Sequence, residues 1–198
     1  HGVVLIFDEV SSGLRFGMQA AQGFVGVTPD MAVFAKSMSN GYPMGAVVGR
    51  RSVMEPAARM FISSTYWSDP IGMVASLTTI RELRRRNVSE GLWSFGRELQ
   101  SRLDAIGRET GLDVKCSGLA VHPHLEFTVA TSDLKPVLAT LFIQEMAKRG
   151  CHGYASFYLN AAQGAAELEQ TATAAREVFA IIRRAIDSGD AESFLECP

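Results

Sequence analysis

The stretch LIFDEVSSGLRFGMQAAQGFVGVTPDMAVFAKSMSNGYPMGAVVG, residues 5–49, decides the fold. It contains two apolar runs that each end on a single charged side chain: VVLIF, residues 3–7, is followed by Asp8, and MAVFA, residues 31–35, by Lys36. A continuous apolar run is the mark of a strand buried on both faces of a parallel sheet. In open α/β sheets, ligands gather at the edge where such strands end. The pattern therefore predicts a carboxylate and an amine at one sheet edge. A third short run, bracketed by Gly45 and Gly49, reads as another strand whose end meets the same place. Between Lys36 and that run, Ser39, Asn40, Gly41 and Pro43 form a turn signal, with small residues that allow close backbone approach to a ligand. From Asp8 and Lys36 alone, an ordinary ion pair at two strand ends is the favoured reading.

The rest of the composition narrows the function class. Apolar residues make up 47% of the 198 and charged residues 20%, which predicts a packed core. The net charge of −2 gives no electrostatic reason for a nucleic-acid or anionic-membrane partner. Cys116, Cys151 and Cys197 are scattered, without the CxxC spacing of a zinc or redox site, and fit a reducing, cytoplasmic setting. No apolar run reaches the ~20 residues that span a bilayer, and the first ten residues lack the basic region and cleavage site of a signal peptide. The chain starts at His1 and enters a strand directly, which reads as the middle of a longer protein.

Beyond residue 50, helical spacing dominates. Asp69-Pro70 is a helix start, followed by a stripe of Ile71, Val74, Leu77 and Ile80 and a charged tail from Arg81 to Arg86. Ser89 is a plausible N-cap for a second helix with Leu92, Phe95, Leu99, Leu103 and Ile106 on one face, ending near Gly111 and linking two domains. LDVKCSG, HPHLEFTVA and YASFYLNAA are candidate strands; Leu134 to Arg149 and Ala165 to Ile186 are candidate helices, the last burying Leu168, Thr171, Ala175, Val178, Ile182 and Ile186. A few antiparallel strands covered by helices on one side is the simplest architecture for this part. His122 and His124 share a strand face, but nearby spacing supplies no third and fourth ligand, so no metal is expected.

The order of these features resembles the class III, pyridoxal-phosphate-dependent aminotransferases, in the branch that includes glutamate-1-semialdehyde aminomutase. FDEV, GVTPD ahead of AK, the placing of Lys36 28 residues after Asp8, and NGYPMGAVVG after the lysine carry the resemblance. SSTYWSDPIGMVASLTTI resembles the family's threonine-containing loop and following helix, and YLNAAQGAAELEQTATAAREVF its last strand, loop and helix; AAQG, where relatives often carry a histidine, departs from the pattern. The fold implied is α/β: part of a fold-type I large domain with a mostly parallel sheet, residues 1–88, followed by a linker helix and a small C-terminal α+β domain, residues 89–198.

The resemblance implies a role for each residue. Lys36 forms the Schiff base with pyridoxal 5'-phosphate and shuttles a proton to and from the substrate. Asp8 sits against the pyridine nitrogen and keeps it protonated. Val10, two residues on and so on the same side of an extended chain, packs beneath the ring. Thr65, with Ser64 assisting, binds the cofactor phosphate from the neighbouring subunit of a homodimer. Tyr66 and Trp67 line either the substrate pocket or the interface. The family's N-terminal half, with its phosphate loop and ring-stacking aromatic, does not precede His1, so the fragment alone is expected to be inactive. The partners implied are a small amine or amino-acid donor and a carbonyl acceptor. SSTYW differs from the glycine-rich loop of the tetrapyrrole-pathway mutase, which favours an aminotransferase over a 2,1-aminomutase. A non-catalytic fold relative is disfavoured because Asp8, Lys36 and Thr65 are all retained.

Overall fold

The structure, a computed structural model, describes residues 1–129 and 131–196. Cys197 and Ala130, the last residue of one candidate strand, lie outside them. The chain divides into two compact units, His1–Glu90 and Gly91–Pro198.

The first unit is built on a three-stranded sheet of β1 (Ile6–Asp8), β2 (Met31–Phe34) and β3 (Ala46–Gly49), with β2 in the middle. A short helix α1 (Ala20–Val25) lies between β1 and β2. β1 and β2 are parallel, with Ile6 opposite Met31 and Asp8 opposite Val33. The GVTPD turn locks this register. The Asp30 carboxylate accepts from the Leu5 N–H at 2.9 Å and pairs with Arg50 at 3.2 Å, and the Leu5 carbonyl accepts the N–H groups of Asp30 and Met31. β3 runs antiparallel to β2, with Phe34 opposite Ala46 and Met31 opposite Gly49. This corrects the expectation of three converging strand ends: β3 brings its start to the edge where β1 and β2 end. A four-residue antiparallel hairpin partner needs no crossover, and a glycine-bracketed run carries no sign of its direction.

The expected burial of β1 is also corrected. The strand is three residues long, pairs on one side only, and leaves Ile6 54% exposed; Val3, Val4 and Leu5 before it are exposed as well. An apolar run predicts burial only if some element covers it, and none of the described residues does so. The same holds for α3 (Pro70–Arg85), which follows α2 (Arg51–Met54). Its start is as expected, with the Asp69 carboxylate accepting from the Ile71 N–H at 3.0 Å and Pro70 in the first turn. Its apolar stripe is not buried: Ile71, Val74 and Leu77 are all more than half exposed. The face that packs is the small one, Gly72 and Ser76. A Cβ on Gly72 would lie 2.5 Å from the Pro43 carbonyl oxygen, so the missing side chain is what lets α3 close on the turn after Lys36.

The second unit packs α4 (Val88–Thr110), α5 (Leu134–Lys148) and α6 (Ala165–Ser188) with the antiparallel pair β4 (Val114–Ser117) and β5 (His124–Phe127). Ser89 is not the N-cap of α4. The helix already includes Val88, and the Ser89 hydroxyl donates to the Leu14 carbonyl at 2.9 Å within the first unit. The third expected strand is reduced to a bridge between Ser156 and His124. Leu99, Leu103 and Ile106 of α4 are buried, and the α6 stripe centres on Ala175, Val178, Phe179 and Ile182, with Thr171 and Ile186 at its margins. Phe142 of α5 sits at the middle of this core, its ring 6.3 Å from both Phe127 and Phe179 and 6.4 Å from Phe157. Burying such rings contributes roughly 2–3 kcal/mol each, which makes the second unit the better consolidated of the two.

Candidate active site

Asp8 is the last residue of β1 and Lys36 the second residue beyond β2, so the parallel pairing delivers both to the same sheet edge. β1 ends at Asp8 because the chain then turns: the Gly13 N–H donates to the Glu9 carbonyl at 2.8 Å, and one Asp8 carboxylate oxygen accepts from the Val10 N–H at 3.0 Å. Val10 therefore belongs to a turn, and strand alternation does not place it; it is half-buried. β2 ends in a single 3-10 turn, Lys36–Met38, closed by the Met38 N–H on the Ala35 carbonyl.

Lys36 has a φ of +46°, in the left-handed region that side chains with a Cβ avoid. Such conformations persist where surrounding structure over-determines them, and they concentrate at functional sites. Here the surroundings are visible. Met38 and Ser39 are buried beneath the turn, the Ser39 hydroxyl donates to the Tyr42 carbonyl, and the Ser37 hydroxyl donates to the Gly13 carbonyl at 3.2 Å. The lysine side chain itself is exposed and lines an open cleft of about 520 Å³ together with Arg15, Ser37, Asn40, Gly41 and Tyr42. Its Nζ donates to the Ser11 hydroxyl at 2.5 Å. An ion pair between Asp8 and Lys36, the bland alternative, does not form: the amine is on Ser11 and the carboxylate on a backbone N–H.

Ser64 and Thr65 lie in an exposed loop that leads into α3, where the Trp67 N–H donates to the Ser64 carbonyl at 3.2 Å. Among the described residues neither hydrogen-bonds to Asp8 or Lys36, so the first unit assembles Asp8, Val10 and Lys36 but not the loop. In the second unit, the rings of His122 and His124 stand 5.7 Å apart, and His122 packs on Tyr158. Among the described residues there is no group of three potential metal ligands, and no helix is long and apolar enough to cross a membrane. Two residues escaped the sequence reading. Ser11 contacts the lysine across 25 positions, and Glu9, 1% exposed, is the one buried acid of this edge. A carboxylate two residues ahead of a Ser-Ser-Gly turn was the available signal.

Residues 1–150 match the family described as Aminotransferase class-III. The chain belongs to the class III aminotransferases. It is 32% identical over 158 residues to a 3-aminobutyryl-CoA aminotransferase from Cloacimonas acidaminovorans, an alignment covering 76% of this chain and 38% of that protein. It is 31% identical over 196 residues to a glutamate-1-semialdehyde 2,1-aminomutase from Desulforapulum autotrophicum, covering 91% of this chain and 45% of that one. Among solved structures, the FumI protein of Sphingopyxis sp. MTA144, in its PLP internal aldimine form, superposes with a TM-score of 0.86 at 25% identity over 94% of this chain and 45% of its own. An omega-transaminase from Sphaerobacter thermophilus gives 0.81 at 27% identity, covering 92% and 45%. The fold is thus that of the fold-type I transaminases, and pyridoxal 5'-phosphate is the cofactor of this class III family. The chain spans less than half the length of these relatives.

Proposed function

We propose that this chain carries the catalytic lysine of a PLP-dependent aminotransferase, which moves an amino group from an amine or amino-acid donor to a carbonyl acceptor by way of a Schiff base on Lys36. One observation carries the proposal: a lysine in a left-handed backbone conformation, exposed on a cleft, at the sheet edge where a parallel strand pair also delivers Asp8. The residues present fit the cofactor in kind, since an accessible amine and a carboxylate not committed to an ion pair stand at one edge.

Pyridoxal phosphate, when bound, supplies an electrophilic aldehyde and an electron-accepting ring. Lys36 would hold it through its ε-amine and, when free, that amine would move a proton to and from the substrate carbon that bears the nitrogen. Asp8 would hold the proton on the ring nitrogen, and Val10 would pack against the ring. Thr65, with Ser64, binds the phosphate of the neighbouring subunit's site, which makes a homodimer the working unit. The free Cys116 and Cys151 thiols support a cytoplasmic setting. Because the relatives are about twice as long, the 198-residue chain by itself is expected to show no substrate-dependent transamination. The domain division proposed is the large-domain part at 1–88 and the small domain at 89–198.

A second reading, a 2,1-aminomutase, is favoured by the match to the semialdehyde mutase along nearly the whole chain. It uses the same lysine. Borohydride reduction of the cofactor-loaded protein followed by peptide mass mapping tests the shared core: the pyridoxyl label is expected on Lys36 and absent in Lys36→Ala. A label in Lys36→Ala as strong as in wild type refutes the covalent role. Product analysis then separates the readings, since a mutase isomerises one substrate and needs no carbonyl acceptor.

A further inference from the structure

We propose that Ser11 is the positioning residue of Lys36, its hydroxyl holding the ε-amine in the orientation from which it reacts; the inference rests on the role given to Lys36 above. The contact is direct, Nζ to Oγ at 2.5 Å. What makes it more than a chance meeting of two exposed side chains is the way the turn carrying Ser11 is tied down. Glu9 is the anchor. Its carboxylate accepts from the Ser12 hydroxyl at 2.6 Å and from the Ala21 N–H at 2.9 Å, its carbonyl accepts the Gly13 N–H at 2.8 Å, and its own N–H donates to the Val33 carbonyl at 2.8 Å. A carboxylate this buried is costly without such donors, so the turn cannot loosen without exposing or stranding it. Arg15 adds a hydrogen bond from Nε to the Ser11 carbonyl at 2.9 Å. Gly13 seals the packing: a Cβ there would lie 2.6 Å from the Glu9 carbonyl oxygen and 2.7 Å from the Phe34 ring. Glu9 is thereby bonded to β2, the strand that leads into Lys36, and Ser11 is held in register with the lysine.

The chemistry explains why a hydroxyl suits this position. A neutral primary amine has two N–H groups and one lone pair. Donating one N–H to Ser11 fixes the amine's orientation and leaves the lone pair to accept a proton from the substrate carbon. A serine oxygen accepts that hydrogen bond without carrying charge, whereas a carboxylate in its place would pair with the ammonium and retain the proton there. Asp8, the acid at the same edge, has its carboxylate on the Val10 N–H, so Ser11 and Asp8 divide the two tasks.

The test reads the amine without its cofactor. Cofactor-free protein is treated with limiting acetic anhydride at fixed pH, and acetylation of Lys36 is measured by peptide mass mapping against Lys115, Lys135 and Lys148 as internal references. The hydrogen bond holds the amine toward the cofactor's side of the edge, whereas acetic anhydride arrives from open solvent, so release of the amine in Ser11→Ala is expected to raise the relative rate at Lys36 about three- to tenfold, with Ser11→Thr staying within about twofold of wild type. An unchanged or slower Lys36 rate in Ser11→Ala overturns the proposal, as does a Ser11→Thr rate equal to that of Ser11→Ala. Altered rates at the reference lysines in Ser11→Ala also overturn it, because they place Ser11 in the fold and not at the amine. Failure of the underlying function has a different signature, a pyridoxyl label that persists in Lys36→Ala whatever the Ser11 variants do.

Discussion

Asp8 faces Val33 as the last register pair of the parallel strands β1 and β2, and this pairing alone sets the Asp8 carboxylate at the edge where Lys36 leaves the sheet. The carboxylate is exposed, and among the described residues its one hydrogen bond is to the Val10 N–H. Asn can accept the same bond. Asp8→Asn is therefore expected to change stability by less than about 1 kcal/mol. If Asp8 serves the ring nitrogen as proposed, the substitution removes the negative charge from it, and by analogy with other lost charge-stabilising groups the full-length enzyme's kcat is expected to fall about 10²- to 10³-fold. Thermal unfolding and steady-state kinetics on the same preparation check the split; parallel losses in both would return Asp8 to a structural role.

The left-handed φ of Lys36 reverses the usual effect of glycine. Both Lys36→Gly and Lys36→Ala remove the amine and are expected to abolish covalent cofactor binding. Lys36→Gly should nonetheless be the more stable by about 1 kcal/mol, since glycine adopts this conformation without strain and alanine does not. Denaturant unfolding of the two variants measures it, and Lys36→Ala being equal or more stable would show that the backbone is not held left-handed.

In the second unit, Gly96 of α4 faces the loop at Ala120 so closely that a Cβ would lie 1.6 Å from the Ala120 carbonyl oxygen. Alanine normally stabilises a helix interior by up to about 1 kcal/mol over glycine. Here the backbone contact must open, and Gly96→Ala is expected to cost about 2–3 kcal/mol as an overpacking substitution. Gly91→Ala, in the same helix with open space around it, is the control and should be neutral or stabilising.

Whether a feature was legible in the sequence depended on how local its cause was. The start of α3 needs only Asp69 and Pro70, and it was read to the residue. The common edge of Asp8 and Lys36 followed from two apolar runs, each delivering one polar residue. The direction of β3 was not legible, because Ala46–Gly49 can pair either way and only its place beside β2 decides. Nor was the exposure of Ile6, Ile71 and Val74: apolarity says that a residue seeks cover, and none of the described residues supplies it. Ser89 looked like a cap by composition, yet its hydroxyl serves Leu14, a partner 75 positions away. The Ser11 to Lys36 contact was hidden for the same reason, since only the fold brings the two turns together.

Glu145 of α5 gives the second unit a pH dependence. Burial alone would raise its carboxyl, but hydrogen bonds from Lys148, Gln144 and Arg149 outweigh burial and bring it from 4.5 to about 2. A group whose folded value is depressed stabilises the fold above its unfolded value, and loses that contribution as pH falls through the folded one. The stabilisation should therefore be complete above about pH 5 and gone near pH 2, with an upper size of roughly 3 kcal/mol. Glu145→Gln is expected to be destabilised at pH 7 and to converge with wild type in acid. A gap between the two that stays constant from pH 7 to pH 2 would show that the ion pairs at 2.6 Å to Lys148 and 2.9 Å to Arg149 contribute nothing.

The exposed position of Thr65, without a hydrogen bond to Asp8 or Lys36 among the described residues, suits a residue that serves another copy's site. Subunit mixing tests this directly in the full-length enzyme. Lys36→Ala lacks the amine, and Thr65→Ala lacks the phosphate contact; each homodimer is expected to be inactive or strongly impaired. If Thr65 crosses the interface, a mixed dimer has one site with both mutations and one site with neither. Random pairing then restores about a quarter of the wild-type rate, since half of the dimers are mixed and each has one intact site of two. If Thr65 acts within its own subunit, every site in the mixed dimer carries one mutation and mixing restores nothing. Activity recovered on refolding the two variants together, compared with the sum of the variants refolded apart, decides between the two arrangements.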